Sequence, residues 1–189
     1  MTSATRAGGS CVHPCASCPC QRCRSGGSGR QPTGSKHAGS LSGNAYPTTI
    51  WLADQVPTLD PASWRLAIGG RVRSPAVLSY GELSGRPVRQ LQAVLDCTSG
   101  WWSEQVWTGW SLGDLLADAR PLTEAREVAV ESVTGHRCVF PLAEARTALL
   151  ATRVGDEPLS AAHGFPARLA VPGRRGYQWV KWVERIEVL

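Results

Sequence analysis

The 189-residue sequence predicts a single α+β domain that is mostly β-structure with short helices. Its length and its 42% hydrophobic content allow one ordinary domain with a real core, and they leave no room for two large domains. Apolar residues alternate with polar ones at several places, which indicates strands. Capping pairs before short apolar runs indicate brief helices between those strands.

The first strand signal lies near the start of the body of the chain. Trp64, Leu66 and Ile68 alternate with other residues and are followed by the pair Gly69-Gly70. Alternation of this kind predicts a strand with one face in the core, and the two glycines predict the turn that ends it.

Two short helices and a further strand are expected in the middle of the chain. Ser79 with Glu82, and Ser111 with Asp114, have the spacing of a capping box, so a helix is predicted after each serine. Between them, "LQAVLD" (91–96) is strand-like.

The second half of the body continues the mixed pattern. Strands are predicted for "EVAVESV" (127–133), "ARLAVP" (167–172) and "YQWVKWVERIEVL" (177–189), which are rich in β-branched and aromatic residues. The segment "PLAEARTALLA" predicts a helix, because Pro141 suits the first position of a helix.

The N-terminal part has a different composition. Residues 1–43 contain mainly Gly, Ser, Thr, Pro, Cys and Arg, which cannot bury enough apolar surface to offset the entropy of ordering. We therefore predict a disordered Cys/Gly/Ser-rich tail at 1–43 and a folded domain at 44–189. The tail motif "CVHPCASCPCQRC" could ligate zinc or an iron–sulfur cluster, and the alternative is a dispensable extension.

The charge distribution argues against a nucleic-acid partner. The net charge is +5, but residues 1–43 hold five basic and no acidic residues, so the rest of the chain has 15 of each sign. The sequence has no apolar run of membrane-spanning length and no recognisable export signal, so we expect no membrane span and leave the localisation open.

Cys97 is the first candidate functional residue. It follows the predicted strand 91–96 and is itself followed by Trp101, Trp102, Trp107 and Trp110. A thiol at the end of a strand can face a cleft, although free cysteine is also a common small core residue. The four tryptophans fit no single face of a helix or strand, so we expect some of them to line the loop that follows Cys97 and exclude water.

A second candidate site lies near the C-terminus of the chain. Arg168, Arg174, Arg175 and Lys181 occur among glycines with no acidic residue between them, which suits a phosphate or another anion. A solvated basic loop is the alternative. Cys97 could also pair with His163 as a nucleophile and base for acyl transfer, but nothing in the spacing specifies an oxyanion hole or an orienting third residue.

Three stretches resemble one family in order along the chain. They are "VPTLDPASWRLAIGGRVRSPAVLSYGEL", "LDCTSGWWSEQVWTGWSLGDLL" and "HGFPARLAVPGRRGYQWVKWV", and the resemblance runs from about Tyr46 to Leu189. Together they resemble the molybdopterin-binding domain of the sulfite oxidase family, which includes nitrate reductases and bacterial methionine-sulfoxide reductases. The resemblance implies the sulfite oxidase-type molybdopterin-binding fold.

The resemblance also implies a cofactor, Mo-molybdopterin, and the residues that hold it. Cys97 matches the cysteine that ligates molybdenum and is the expected catalytic and metal-binding residue, because a soft thiolate suits such a metal. The residues that match cofactor-binding positions are Ser132, His163, Arg168, Trp179, Val180 and Lys181.

The implied activity is two-electron redox, by oxygen-atom transfer on a small substrate. Sulfite oxidases follow the cysteine with Ala-Gly-Asn-Arg, whereas this chain has Thr98, Ser99, Gly100 and Trp101, so sulfite is a doubtful substrate. Aromatic walls at Trp101, Trp102 and Tyr177 suggest a neutral sulfoxide or N-oxide. The sequence contains no haem or flavin module, so we expect a separate haem- or quinone-linked electron partner. The alternative is a non-enzymatic remnant that binds a partner protein.

Overall fold

A computed structural model of the protein describes residues 32–39, 41–50 and 55–189. The first 31 residues, with the cysteine cluster of the predicted tail, lie outside the described residues. The metal-binding hypothesis for that cluster therefore stays a prediction.

The described residues form mostly strands. In chain order the strands are β1 (Lys36–His37), β2 (Arg65–Gly70), β3 (Ala76–Ser79), β4 (Arg89–Asp96), β5 (Trp101–Ser111), β6 (Glu127–Ser132), β7 (Arg137–Pro141), β8 (Leu149–Val154), β9 (Glu157–Pro158), β10 (Arg168–Ala170) and β11 (Val183–Val188). The strands predicted at Trp64–Gly70, 91–96, 127–133 and 167–172 are confirmed, with small differences in their bounds.

The strands of the described residues form two sheets. The first has the order β1-β5-β8-β10, with β4 paired to the other edge of β5 and β9 paired to β8. The second has the order β3-β2-β11-β6-β7. Neighbouring strands are antiparallel except for the pairs β1 with β5 and β2 with β11.

Three short α-helices connect the strands within the described part of the chain: α1 (Tyr80–Ser84), α2 (Leu112–Ala119) and α3 (Leu142–Ala145). Ser79 and Glu82 form the complete capping box predicted for α1. The Ser111 hydroxyl accepts the backbone N–H of Asp114 at the start of α2. None of the helices in these described segments has the length and apolar character needed to cross a bilayer.

The helix predicted from Pro141 is much shorter than its sequence pattern suggested. Pro141 precedes the first helical residue, α3 ends at Ala145, and the apolar residues that follow belong to β8. The prediction mistook a buried strand for the end of a helix, because a short apolar run has no distinctive period.

The strand predicted for 177–189 is correct only in its second half. Gly176–Gln178 forms a turn of 3-10 helix, and Trp182 has a φ of 52°, so the chain reaches extended geometry only at β11. The irregular stretch before β11 carries Trp179 and Lys181, which are two of the predicted site residues.

Two hydrophobic clusters hold the domain together. The larger contains side chains from both sheets and from α2, and the smaller includes Leu149, Ala151 and Trp179. Leu149 and Ala151 belong to the smaller cluster, whereas Leu150 between them belongs to the larger one. The first sheet is therefore buried on both faces at β8, because successive side chains of a strand point to opposite faces.

The N-terminal segment, residues 32–39, belongs to the described structure although the prediction assigned it to the disordered tail. Its strand β1 pairs with Trp101 and Trp102 of β5. The backbone N–H of Lys36 donates to Gly100, and that of Ala38 donates to Trp102. Hydrogen bonds to an existing strand can order a segment that has little apolar surface of its own.

Candidate functional site

A cleft opens where the loops after β4 and β6 meet the stretch before β11. It encloses about 910 Å³, its open mouth included. Six of the seven predicted site residues line it: Cys97, Ser132, His163, Arg168, Trp179 and Lys181. Residues separated by up to 84 positions in the sequence thus line one cavity.

Cys97 lies at the end of β4, as predicted, and its side chain is 6% exposed. Its Sγ lies 3.2 Å from the Thr49 hydroxyl oxygen and 3.0 Å from that of Ser99, and these two hydroxyls lie 3.0 Å apart. Both hydroxyls lie within hydrogen-bonding distance of the sulfur and fix its position. The local structure therefore suits a sulfur that acts as a metal ligand.

His163 is held as a neutral, oriented imidazole. The Ser160 hydroxyl lies 2.7 Å from Nδ1, and Nε2 lies 3.1 Å from the Tyr46 carbonyl and 2.8 Å from the Thr48 hydroxyl. Burial lowers the pKa of His163 to about 4, and the charge of Arg168 adds to this effect. Since a carbonyl only accepts, Nε2 carries the proton and Nδ1 accepts the Ser160 hydroxyl.

Arg168 places a buried positive charge in the wall of the cleft. The residue is 3% exposed, and its Nη1 donates to the Tyr46 hydroxyl at 3.3 Å and to the His163 carbonyl at 3.2 Å. The rings of Trp107 and Trp179 lie 5.7 and 5.9 Å from its guanidinium carbon. Its Nε has no hydrogen-bond partner, and no carboxylate of the described residues forms an ion pair with it.

A buried cation without a carboxylate is unfavourable unless an anion completes the site. The orphaned Nε of Arg168 is thus the strongest indication that the cleft accepts an anionic group. The phosphate of a molybdopterin fits this requirement, because a guanidinium binds phosphate oxygens in pairs.

Lys181 provides the second cation of the cleft. Its Nζ donates to the carbonyls of Thr49 and Ala162 at 2.9 and 2.7 Å, and it lies 5.4 Å from the centre of the Trp182 ring. These contacts hold the ammonium group at the wall beside the segment that carries Thr49. An anion bound by Arg168 would lie within the field of a second positive charge.

The remaining predicted residues divide between the cleft and the core. Trp179 lines the cleft and donates its indole N–H to the Arg174 carbonyl, and the Ser132 hydroxyl lies 3.1 Å from that of Thr134. The side chain of Val180 does not line the cleft and belongs to the larger hydrophobic cluster. Its carbonyl accepts the backbone N–H of Leu169 next to Arg168.

Two of the four basic residues of the predicted anion site, Arg174 and Arg175, contact carboxylates of the protein. Arg174 forms a bidentate ion pair with Glu144, with both N···O distances at 2.6 Å. Arg175 lies 3.8 Å from the Asp96 carboxylate and donates to the Cys97 carbonyl. Of the four basic residues in the predicted anion site, Arg168 and Lys181 are therefore the two that line the cleft.

The tryptophans after Cys97 lie on strand β5, where loop positions were expected. Trp101 lines the cleft and shares a strand face with Trp107, whereas Trp102 contacts His37 in a tilted arrangement with the ring centres 4.4 Å apart. Trp102 is therefore not among the described residues that wall the cleft, and Tyr177 is.

Sequence reasoning missed several hydroxyl and imidazole groups of the cleft. Thr48, Thr49, Thr134 and His136 all line it, and Ser99 contacts the Cys97 sulfur. Thr48 and Thr49 lie just after Tyr46, where the resemblance begins, and the other groups had no signal in the sequence.

The geometry does not support the pairing of Cys97 with His163 for acyl transfer. Among the described residues, the hydrogen-bond partners of the Cys97 sulfur are the hydroxyls of Thr49 and Ser99. Both ring nitrogens of His163 are engaged by other groups. The ring nitrogen of His163 that can accept a proton, Nδ1, is occupied by the Ser160 hydroxyl.

The mostly β fold and the thiol-lined cleft are those of a cofactor-binding oxidoreductase domain. The chain belongs to the oxidoreductase molybdopterin-binding domain family, whose sequence profile matches residues 53–189. Molybdopterin is accordingly the cofactor of the family. The fold expected from the resemblance is confirmed.

Relatives of the chain include several oxidoreductases. The chain is 30% identical to an uncharacterized oxidoreductase YuiH of Bacillus subtilis, over 68% of this chain and 66% of that protein. It is 30% identical to the protein-methionine-sulfoxide reductase catalytic subunit MsrP of Gluconobacter oxydans, over 81% and 61%. It is 31% identical to human mitochondrial sulfite oxidase, over 70% and 30%. The chain thus spans less than two thirds of the length of each of these relatives.

A solved structure has the same fold. The sulfane dehydrogenase SoxCD from Paracoccus pantotrophus superposes with a TM-score of 0.67 at 27% identity, covering 70% of this chain and 40% of that one. The architecture of two sheets with short helices is therefore shared with a structurally characterised oxidoreductase.

Proposed function

We propose that the chain binds one Mo-molybdopterin through Cys97 and carries out two-electron redox by oxygen-atom transfer on a small neutral substrate. The observation that carries the proposal is that Cys97 and the buried Arg168, which forms no ion pair with a carboxylate of the described residues, line the same cleft. The bound group supplies the redox chemistry, and the protein supplies ligation, charge and exclusion of water.

In this proposal Cys97 is the protein's ligand to the metal. Its sulfur lies 3.2 Å from the Thr49 hydroxyl oxygen and 3.0 Å from that of Ser99, and these two contacts hold the sulfur in one orientation. Thiolate is a soft ligand, which favours the retention of a soft transition-metal centre in the presence of harder competitors.

Arg168 and Lys181 bind the phosphate of the cofactor. His163 adds no positive charge to this site, because its low pKa keeps the imidazole neutral. Ser160 and Tyr46 fix the ring of His163, and the backbone carbonyl of His163 accepts a hydrogen bond from Arg168. The stretch from His163 to Arg168 thus acts as one anion-binding unit, as arginine forks commonly do.

The substrate class follows from the residues that line the remaining space. Ile50, Thr98, Trp101 and Tyr177 are uncharged, and no Asp or Glu is found among the described residues of the cleft. Since the two cations are committed to the cofactor, the space offers no charge for a dianion such as sulfite. A neutral sulfoxide or N-oxide suits apolar and aromatic walls, and a separate haem- or quinone-linked protein exchanges the electrons.

Metal analysis of protein made in a molybdenum-replete host tests the proposal. We expect about one molybdenum per chain and a visible absorption band from thiolate and dithiolene coordination. Cys97→Ser should lose the band and the redox activity, because it removes the soft ligand.

Cys138→Ser is the matched control, since Cys138 is a free thiol of the described domain that does not line the cleft. This variant should keep both the metal and the band. Well-folded protein without molybdenum would favour the alternative of a partner-binding remnant. Rapid alkylation of Cys97 in metal-loaded protein would favour a cysteine hydrolase, because a coordinated sulfur is protected.

A further inference from the structure

The N-terminal segment, residues 32–39, contacts the loop that carries Cys97. The hydroxyls of Thr33 and Ser35 donate to the two carboxylate oxygens of Asp96, at 2.6 and 2.7 Å. Asp96 is buried and directly precedes Cys97. Gly34 between the two hydroxyl residues has a φ of +78°, a conformation that glycine adopts easily and that lets both neighbours reach one carboxylate.

The same segment holds the far end of the loop. Strand β1 lies beside Trp101 and Trp102, and Lys36 donates its backbone N–H to the Gly100 carbonyl at 2.9 Å. Ser35 also lies 3.4 Å from the Cys97 carbonyl. The segment therefore contacts the loop both before and after the cysteine.

A second element holds the loop from the other side. Arg175 donates to the Cys97 carbonyl at 3.2 Å and faces the Asp96 carboxylate. At Gly176, an added Cβ would lie 3.2 Å from the Cys97 Cα atom and from the Asp96 carbonyl oxygen, so the two backbones are in close contact. The loop is thus enclosed between this turn and the N-terminal segment.

We propose that the N-terminal segment is a positioning element, which fixes the Cys97 loop through hydrogen bonds from Thr33 and Ser35 to Asp96. That it orients the sulfur toward the cofactor rests on the proposed function, whereas its restraint of the loop does not. The segment lies before residue 53, where the family match begins. Its role is therefore one that the family match does not assign.

Without these hydroxyls, the Asp96 carboxylate loses two donors, and the loop opens more often. Local opening exposes Cys97 without unfolding the domain, since restrained loops have opening equilibria of their own. Alkylation of a thiol measures such opening directly, because reagents reach only the exposed thiol.

The test is alkylation of the cofactor-free full chain by iodoacetamide, with the modified peptides quantified by mass spectrometry. The double variant Thr33→Val/Ser35→Ala should react at Cys97 at least about tenfold faster than wild type, because charged hydrogen bonds are the stronger ones. Cys138 lies in the second sheet and serves as an internal reference, which should change by less than about twofold.

Two single variants complete the experiment. Thr33→Ser keeps the hydroxyl and should behave as wild type, and Thr123→Val makes the same chemical change as Thr33→Val at an exposed position outside the cleft. Equal Cys97 rates in wild type and the double variant would overturn the proposal, as would a parallel rise at Cys138, which indicates general unfolding. Because the assay contains no cofactor, protein that lacks molybdenum but shows the Cys97 effect would reject the proposed function alone.

Discussion

His163 is the residue in the cleft whose environment most changes its chemistry. Its pKa falls to about 4 from an ordinary value of 6.5, mainly through burial, with further lowering by Arg168 and Lys181. The hydrogen bond to the Tyr46 carbonyl opposes this change only in part. The folded protein therefore keeps the imidazole neutral in the pH range where an unfolded chain protonates it.

This difference makes the stability of the domain depend on pH in a defined direction. The unfolded chain binds a proton near pH 6.5 and the folded chain only near pH 4, so the contribution of His163 is complete above pH 6.5 and is lost as the pH falls toward 4. Relative to His163→Gln, the free energy of unfolding of wild type should fall by about 2 kcal/mol more between pH 7 and pH 4.5.

Urea unfolding of the two proteins at both pH values measures this quantity. His37→Gln removes an exposed histidine outside the cleft and should follow wild type. Parallel curves for wild type and His163→Gln would show that the folded protein already accepts the proton at His163.

Sequence analysis could predict the identity of the candidate site residues better than their contacts. The end of an apolar run gave the position of Cys97, and the clustered cations gave Arg168 and Lys181. The same charge pattern could not show that Arg174 is paired with Glu144, which lies 30 residues away in the chain. Residue types specify what a side chain can bind, and only the tertiary structure specifies what it does bind.

At the scale of elements, the turn from His163 to Arg168 shows why a glycine follows the histidine. Gly164 has a φ of +113°, and an added Cβ would lie 3.0 Å from the Arg168 Cβ and 3.2 Å from the Lys181 Cβ. The close contact brings the stems of both cations together under the cleft. A side chain at position 164 would separate them.

Gly164→Ala should therefore destabilise the domain by about 2 to 3 kcal/mol, from an unfavourable φ and crowding combined. Gly135→Ala is the matched control, since Gly135 also has a positive φ, +84°, but no atom lies within 4 Å of its added Cβ. That control should lose about 1 kcal/mol. Urea unfolding measures the loss of stability in each variant. Equal losses in Gly164→Ala and Gly135→Ala would show that the contact with Arg168 and Lys181 can relax.

The elements that sequence analysis predicted correctly are those whose local pattern agrees with their tertiary role. The capping box at Ser79 and the alternation before Gly70 are examples, and both were confirmed. The N-terminal segment had no such signal, because hydroxyl groups order it through Asp96 and apolar residues do not. The register that places Trp101 on the cleft face of β5 also depends on partner strands, which a single sequence does not reveal.

At the scale of the whole molecule, the cleft brings together residues from both sheets and from the segments that connect the strands. Cys97 belongs to the first sheet, Ser132 ends a strand of the second sheet, and His163 and Lys181 lie on connecting segments. A ligand that contacts all of them adds interactions that only the folded state offers. Its binding therefore stabilises the fold by mass action.

Arg168 should then have opposite effects in the two forms of the protein. In the cofactor-free form its buried guanidinium forms no ion pair with any carboxylate of the described segments, so Arg168→Met should raise the melting temperature or leave it unchanged. In the loaded form the same substitution removes a charge-assisted phosphate contact, so cofactor occupancy and the melting temperature should fall. Lys181→Met, whose ammonium is held by two carbonyls, should lower occupancy without raising the stability of the cofactor-free form. Calorimetry gives the melting temperatures of both variants in the cofactor-free and loaded forms, and metal analysis gives their cofactor occupancy. If Arg168→Met destabilises the cofactor-free and loaded proteins equally, the guanidinium serves the structure of the domain and not the binding of an anion.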